Sequence, residues 1–128
     1  MAKPPEHWKD LPDAHDFPAA ADYLALVLTE ARVDAVLKKL RAASSDTKKA
    51  KDLVRASGLP ILARDNPHVA QDLKKVRSGQ KLSPVLLVRG VLGQGVPLTI
   101  ADGYHRVCAS YYLDEDADIP CRIVDLPR

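Results

Sequence analysis

The sequence predicts an α/β (α+β) domain, in which a small mixed sheet with helices follows an all-helical N-terminal part. In the first half of the chain, apolar residues such as Val33, Val36 and Leu40 recur at helical spacing. In the second half, residues 84–88 and 98–101 are runs of strand-forming residues. Because amphipathic helical stretches flank these runs, we expect helices and strands to pack in layers around one core.

Length and composition indicate a globular chain that can bury such a core. The chain has 128 residues, of which 46% are hydrophobic and 28% are charged. Its net charge of +2 is too small to indicate a nucleic-acid or membrane partner by itself. No apolar run has the length of a membrane helix, and residues 1–10 lack the apolar segment of a secretion signal. We therefore expect a cytoplasmic protein without membrane contact.

Three segments differ in composition. Residues 1–16 are polar and carry several prolines, so we expect a flexible N-terminal lead. Residues 17–58 carry the helical pattern and predict three helices, the third capped by Ser44-Ser45-Asp46 and ended by Gly58. Residues 59–128 form the predicted α/β core.

Within that core, Asn66 and Pro67 begin a helix that Gly79 ends. The two strand-forming runs are joined by a glycine-bearing loop, which predicts a β-hairpin. A helix follows Gly103, and residues 119–125 predict the last strand.

The most informative motif is the junction between strand and helix at Asp102-Gly103-Tyr104-His105-Arg106. The first N–H groups of a helix have no partner within the helix and carry partial positive charge, so they can hold an anion. Gly103 lets the main chain approach that anion, and the side chains of His105 and Arg106 add donors. The junction therefore has the outline of a phosphate site.

Residues 102–109, preceded by a strand and followed by Ile119-Pro-Cys-Arg-Ile-Val124, resemble the signature of the ParB/sulfiredoxin superfamily, the ParB-like nuclease domains. The resemblance covers roughly residues 59–125. It implies that Gly103, Tyr104, His105 and Arg106 form a turn that holds nucleotide phosphates: ATP in sulfiredoxins, CTP in ParB proteins and ADP in free-serine kinases. The implied function is a nucleotide- or phosphate-binding domain, in enzymatic form a small Mg²⁺-dependent phosphotransferase or NTPase.

Two departures from the family narrow this expectation. Tyr104 stands where sulfiredoxins carry their nucleophilic cysteine, so sulfinic-acid reduction is not expected. The two cysteines of the chain, Cys108 and Cys121, lie in apolar patterns and predict buried, reduced thiols. ParB partition proteins carry a further helix-turn-helix domain, and the sequence ends at Arg128, so we do not expect a complete partition protein.

Carboxylates near the junction supply the catalytic candidates. The resemblance to the kinase branch implies that Asp102 orients or deprotonates an acceptor hydroxyl, or binds Mg²⁺ that bridges to the phosphate. The alternative is that Asp102 caps the helix by accepting from the N–H of Tyr104 or His105. Glu115 and Asp65 are further catalytic candidates that the sequence does not rank, and His68 would join the site if the fold brings it close to Asp102.

Each residue of the turn also has a purely structural interpretation. His105 can be hydrogen-bonded to a neighbouring carbonyl. Arg106 can form an ion pair with Asp102 or Asp114 instead of holding phosphate. Tyr104 shares helical spacing with core residues, which favours packing over catalysis.

Two groups of cations motivate a hypothesis of a different class, a non-catalytic DNA-binding or protein-interaction module with a ParB-like core. Solvated helix faces and a helix C-terminus are the stronger explanation of these cations. A homodimer formed through the apolar N-terminal helices is a further expectation. The glycines at 90, 93 and 95 do not have the spacing of a dinucleotide-binding loop, so we do not expect such a site there. The first group of cations is Lys48, Lys49, Lys51 and Arg55, and the second is Lys74, Lys75, Arg77 and Lys81.

Overall fold

The computed structural model describes residues 7–126, which form five α-helices and a four-stranded sheet. The helices are α1 (Asp16–Leu24), α2 (Glu30–Ala42), α3 (Ala50–Ser57), α4 (Pro67–Arg77) and α5 (Tyr104–Leu113). The strands are β1 (Asp46–Lys49), β2 (Val85–Val88), β3 (Thr99–Asp102) and β4 (Asp118–Val124). The predicted mixed α/β class is confirmed. Among the described residues, no helix has both the length and the apolar character needed to cross a bilayer.

The sheet has the strand order β1-β4-β2-β3, and its central pair, β2 and β4, is parallel. Both outer strands run antiparallel to their neighbours. Strand β2 is buried on both faces: Leu87 packs in a cluster with α3 and α5, whereas Leu86 packs against α1 and α2. The domain thus has three layers, with helices on both faces of the sheet.

The predicted hairpin is present as β2 and β3. Its loop contains one 3₁₀ turn, Leu92–Gln94, and a β-bridge between Val91 and Val96. Strand β3 ends at Asp102, and α5 begins two residues later at Tyr104. This connection places the signature turn at the end of an edge strand, beside the first turn of a helix.

The predicted third helix is wrong over its first four residues. Asp46–Lys49 form β1, which pairs with β4 so that Asp46 lies opposite Cys121, and the helix begins only at Ala50. Pairing with a strand from the far end of the chain overrides the local capping pattern. The charged, largely exposed side chains of β1 are typical of a sheet edge, where they discourage pairing with another chain. The segment 17–58 is therefore not all helical.

The predicted flexible lead differs from the structure from His7 onward, while residues 1–6 lie outside the described part of the chain. Trp8 is only 6% exposed and belongs to the core beneath α3 and α5. The backbone holds it there, because the N–H of Lys9 donates to Leu82 O at 2.8 Å and the N–H of Leu82 donates to His7 O at 2.8 Å. The lead is thus joined to the segment just before β2.

Candidate functional site

Helices α4 and α5 pack together, and both contribute the start of their first turn to one polar cavity of about 250 Å³. The segment before α1 and the segment between α4 and β2 close its other sides. The lining residues are Lys9, Asp13, His15, His68, Gln71, Asp72, Lys75, Lys81, Leu82, Ser83, Asp102, Gly103, His105 and Arg106. Three of the four residues expected to form the phosphate turn, Gly103, His105 and Arg106, therefore face one cavity.

Gly103 caps α5 with a left-handed backbone, at φ +109°. Two physical reasons require glycine there. A side chain is strained at this φ, and an added Cβ would overlap Val85 and lie 2.8 Å from Nη2 of Arg106. No side chain caps the helix, and the first hydrogen bond of its backbone is from the N–H of Val107 to Gly103 O. Within residues 7–126, the N–H groups of Tyr104, His105 and Arg106 have no hydrogen-bond partner, and both His105 and Arg106 line the cavity.

Asp102 does not cap α5, which corrects the capping alternative. Its Oδ2 instead accepts from Nη2 of Arg106 at 2.7 Å. Nη1 of Arg106 lies 3.5 Å from Oδ1 of Asp16 and also donates to Ser83 Oγ. The Arg106 side chain is 14% exposed, so this is a largely buried network. Of the two ion-pair partners considered for Arg106, Asp102 is the one in contact.

Burial raises the pKa of Asp102, and the neighbouring Asp16 carboxylate raises it further, although Arg106 acts in the opposite direction. Asp16 itself is 2% exposed. Mg²⁺ prefers several oxygen ligands with retained water. The Asp102 and Asp16 carboxylates already share the guanidinium of Arg106, so this pair is a poor fit to a dedicated Mg²⁺ site.

A second group of possible ligands, Asp13, His15 and Asp16, places its donor atoms within 4.8 Å of one another. Each carboxylate there is already paired, since Asp13 accepts from Nζ of Lys9 at 2.8 Å and Asp16 contacts Arg106. The cluster is explained as an ion-pair network that joins the lead to α5.

His105 faces His68 across the cavity, with ring centroids 4.6 Å apart and a tilt of 43°. The two residues hold equivalent places, because each is the second residue of its helix. Burial lowers the pKa of His105, and the nearby His68 lowers it further, whereas Asp72 opposes this change. His105 therefore favours its neutral form near pH 7.

The remaining sequence candidates lie away from this cavity. The Tyr104 hydroxyl donates to Pro60 O, and its ring packs against core side chains. Tyr104 therefore contributes only its backbone N–H to the start of α5. Glu115 lies beyond the opposite end of α5, where it accepts from the Tyr111 hydroxyl at 3.4 Å. Asp65 is exposed and does not line the cavity. The fold thus separates both Glu115 and Asp65 from the turn.

The cavity has an excess of unpaired positive charge. Two of its cations are paired within it, Lys9 with Asp13 and Arg106 with Asp102. Among residues 7–126, Lys75 and Lys81 form no ion pair, and they share the cavity with one further carboxylate, Asp72. Together with the open helix start, this excess favours an anionic guest.

The first group of cations is neutralised by the fold. Asp52 pairs with a cation of its own helix, and three further aspartates pair with lysines along and beside β1. These pairs are Lys48–Asp46 at 3.3 Å, Lys49–Asp118 at 3.4 Å, Lys51–Asp116 at 2.6 Å and Arg55–Asp52 at 3.0 Å. A group in which every cation has an acidic partner is weak support for nucleic-acid binding.

Sequence reasoning missed part of the site because the contributing segments are distant in the chain. Asp72 lies four residues after His68, which places both side chains on one face of the predicted helix. That spacing was the sequence signal that could have identified Asp72 as part of the site. Lys75 and Lys81 were recognised only as a surface group. Nothing local indicated that Asp16 reaches Arg106, because 90 residues separate them.

Comparison with known proteins adds no relative: no family model, curated protein or solved structure matches the chain.

Proposed function

We propose that this chain is a phosphate- or nucleotide-binding domain of the ParB/sulfiredoxin kind, in which the start of α5 receives a phosphoryl group. The observation that carries the proposal is the uncapped start of α5, which opens into a cavity with unpaired Lys75 and Lys81. Backbone N–H groups at a helix start and flanking cations are the elements from which phosphate sites are built. The order of strand, glycine and helix at β3, Gly103 and α5 is the one that the family resemblance implies.

The cavity dimensions favour binding through the phosphate end of a ligand. A volume of about 250 Å³ is below the usual range for sites that enclose a whole small molecule. Among the lining residues that the structure describes, Leu82 is the one aliphatic side chain, and none carries a phenyl or indole ring that could hold a base. The phosphoryl group would enter the cavity, and the rest of an ATP, ADP or CTP molecule would lie outside it.

In this proposal Arg106 supports the site and does not itself hold the phosphate. Its guanidinium binds Asp102, Asp16 and Ser83, which fixes the end of β3 against the first turn of α5. A phosphotransferase or NTPase would also need a carboxylate that reaches the acceptor. Asp72 faces the cavity without an ion pair among the described residues, and burial raises its pKa, so it fits that role better than Asp102.

Calorimetric titration tests the proposal with inorganic phosphate, ATP, ADP and CTP, the nucleotides with and without Mg²⁺. Two neighbouring lysines of α4 provide matched variants, because Lys75 lines the cavity and Lys74 does not. We expect saturable binding that Lys75→Gln and Lys81→Gln weaken severalfold and Lys74→Gln leaves unchanged. Absence of heat with all of these ligands would rule out the proposed function.

A nucleic-acid site is the second candidate, and one observation favours it: the second group of cations forms no ion pairs among the described residues. Two of its members, Lys74 and Arg77, lie outside the cavity lining. If this surface contacts a DNA backbone, Lys74→Gln and Arg77→Gln should weaken binding in a salt-dependent gel shift as much as Lys75→Gln does. Binding that depends on Lys75 but not on Lys74 favours the small phosphate ligand.

A further inference from the structure

Two imidazoles from different helices meet at the rim of the cavity. His68 is exposed and His105 is half-buried, and their ring centroids are 4.6 Å apart. Within residues 7–126, neither imidazole makes a hydrogen bond, so all of their ring nitrogens remain free for a ligand. Core packing does not account for the pair, because both rings lie at a polar, open surface.

The backbone gives the two histidines different roles around the same space. At the start of α4, Asn66 Oδ1 accepts from the N–H groups of His68 and Val69 at 3.0 and 3.2 Å, so those amides are already used. At the start of α5 the corresponding amides are open. An anion bound by the backbone N–H groups of α5 would therefore also contact the His105 side chain of that helix. From α4 it would contact only the imidazole of His68.

Resting on the proposed function, we propose that His68 and His105 together form the receptor for a dianionic phosphoryl group, and that one proton enters the pair when the dianion binds. The proton comes from the buffer acid and forms an N–H bond on one ring, and no bond of the anion is made or broken. Protonation of His105 in the free protein is opposed by burial, by the adjacent His68 and by Arg106, and a bound dianion offsets that opposition. The ligand class is thus a phosphate monoester or another dianion, in preference to a phosphodiester, which carries one charge.

Other charged groups that face the pair set its environment. Asp72 attracts a proton to the rings, and Lys75 and Arg106 repel one. The full set is Asp72 and Lys75 from α4, Asp102 from β3, Arg106 from α5, Lys9, Asp13 and His15 from the lead, and Lys81 before β2. Because Arg106, Lys9 and Asp13 are paired among themselves and with other carboxylates, Asp72 is the nearest unpaired group that favours protonation.

Sulfate is the decisive probe, because it stays fully ionised from pH 5.5 to 8 and any proton taken up on its binding must go to the protein. Calorimetry in two buffers of different ionisation enthalpy gives the number of protons directly. We expect uptake that approaches one proton per sulfate, and an affinity for sulfate that falls up to about tenfold per pH unit above the pKa of His105. Titration with inorganic phosphate, which itself changes protonation state in this pH range, checks only that phosphate binds.

Three variants locate the proton. His68→Gln and His105→Gln should each remove most of the uptake and flatten the pH dependence, whereas His7→Gln, which removes an imidazole outside the cavity, should change neither. In the free protein, NMR titration of the ring protons should show that His68→Gln raises the midpoint of His105.

Sulfate binding without proton uptake, at a pH where His105 is neutral in the free protein, would overturn this inference and leave the proposed function in place. Uptake that survives His68→Gln would likewise exclude the pair. If neither anion nor any nucleotide binds, the proposed function fails and the inference fails with it.

Discussion

The starts of α4 and α5 lie side by side at one cavity, but only α4 has a side chain that accepts from its first backbone N–H groups. Helix α4 begins with Asn66, whose side chain accepts from two backbone N–H groups, and has Pro67 at its first position. Helix α5 begins with Gly103 and has no side-chain cap, although the adjacent Asp102 is a residue type that commonly caps helices. The polar side chain beside the first helix start, Asn66, caps α4. The polar side chain beside the second, Asp102, forms a buried ion pair with Arg106 instead.

The ion pair explains why Asp102 is unavailable as a cap. Arg106 is the third residue of α5 and lies four residues after Asp102, whose Oδ2 accepts from its Nη2 at 2.7 Å. The cost of burying that carboxylate is offset by two further contacts of Arg106, with Asp16 and Ser83. The open start of α5 therefore depends on a network whose members come from four parts of the chain.

The largest expected effect is from Gly103→Ala, which tests whether the open turn tolerates any side chain. Both the positive φ and the overlap with Val85 act against it, so we expect a loss of about 2 to 5 kcal/mol in the free energy of unfolding. Gly58→Ala is the matched control, because Gly58 also has a positive φ, +68°, but open space around its Cα. Urea denaturation should show a clearly smaller loss for Gly58→Ala, and equal losses would mean that packing against Val85 is unimportant.

Arg106→Met is expected to have the next largest effect, since it leaves Asp16 and Asp102 without their shared cation. Removing one partner of a fully buried pair costs about 3 to 5 kcal/mol, and the partial exposure of Arg106 reduces our expectation to about 2 to 3 kcal/mol. Because the pKa of Asp102 is already raised by burial, acid should protonate the stranded carboxylates and shrink the deficit. A deficit that stays constant from pH 7 to pH 4 in urea denaturation would contradict the network.

Asn66→Ala should have an intermediate effect and sharpens the contrast between the two helix starts. Loss of the acceptor for the N–H groups of His68 and Val69 should lower the free energy of unfolding by about 1 kcal/mol. Thermal or urea denaturation measures this loss. No loss would mean that the α4 start is as open as that of α5, which would remove the comparison.

The smallest expected effect is the pH dependence that His105 contributes to stability. The folded state lowers the pKa of His105 below its ordinary value of 6.5, so the folded protein prefers the neutral ring. This contribution is fully present above pH 6.5 and is lost as the pH falls through the folded-state pKa. Between pH 7.5 and pH 5.5 the parent protein should lose more stability than His105→Gln does. A larger loss in the variant would reverse the sign and contradict the burial of His105 beside His68.

Most elements with a local signal could be predicted from the sequence. The apolar stripe of α2, with Val36 and Leu40 fully buried, lies against the sheet, and Thr29 Oγ1 accepts from the N–H of Arg32 at 3.4 Å at its start. This packing buries the apolar face of α2, and the homodimer stays a prediction. The hairpin, α4 and the last strand were confirmed because their turn residues and periodicity are local.

The missed features depend on contacts between distant segments. Strand β1 has no strand-forming composition and exists because it pairs with β4. Trp8 is a lone aromatic residue in a polar stretch, and no periodic pattern marks it as core. At the site, the sequence motif predicted the turn at residues 102–106. Asp16 and Asp72 belong to other segments, and only folding brings Asp16 to Arg106 and Asp72 to His105.

Amide chemical shifts during a titration with inorganic phosphate test the central claim most directly. The account predicts saturable shifts that are largest for the backbone N–H groups of Tyr104, His105 and Arg106, which have no partner among the described residues. The N–H of Val69, held by Asn66, should shift much less. Equal shifts at both helix starts, or no saturable shift at residues 104–106, would contradict the claim that α5 presents an open phosphate site.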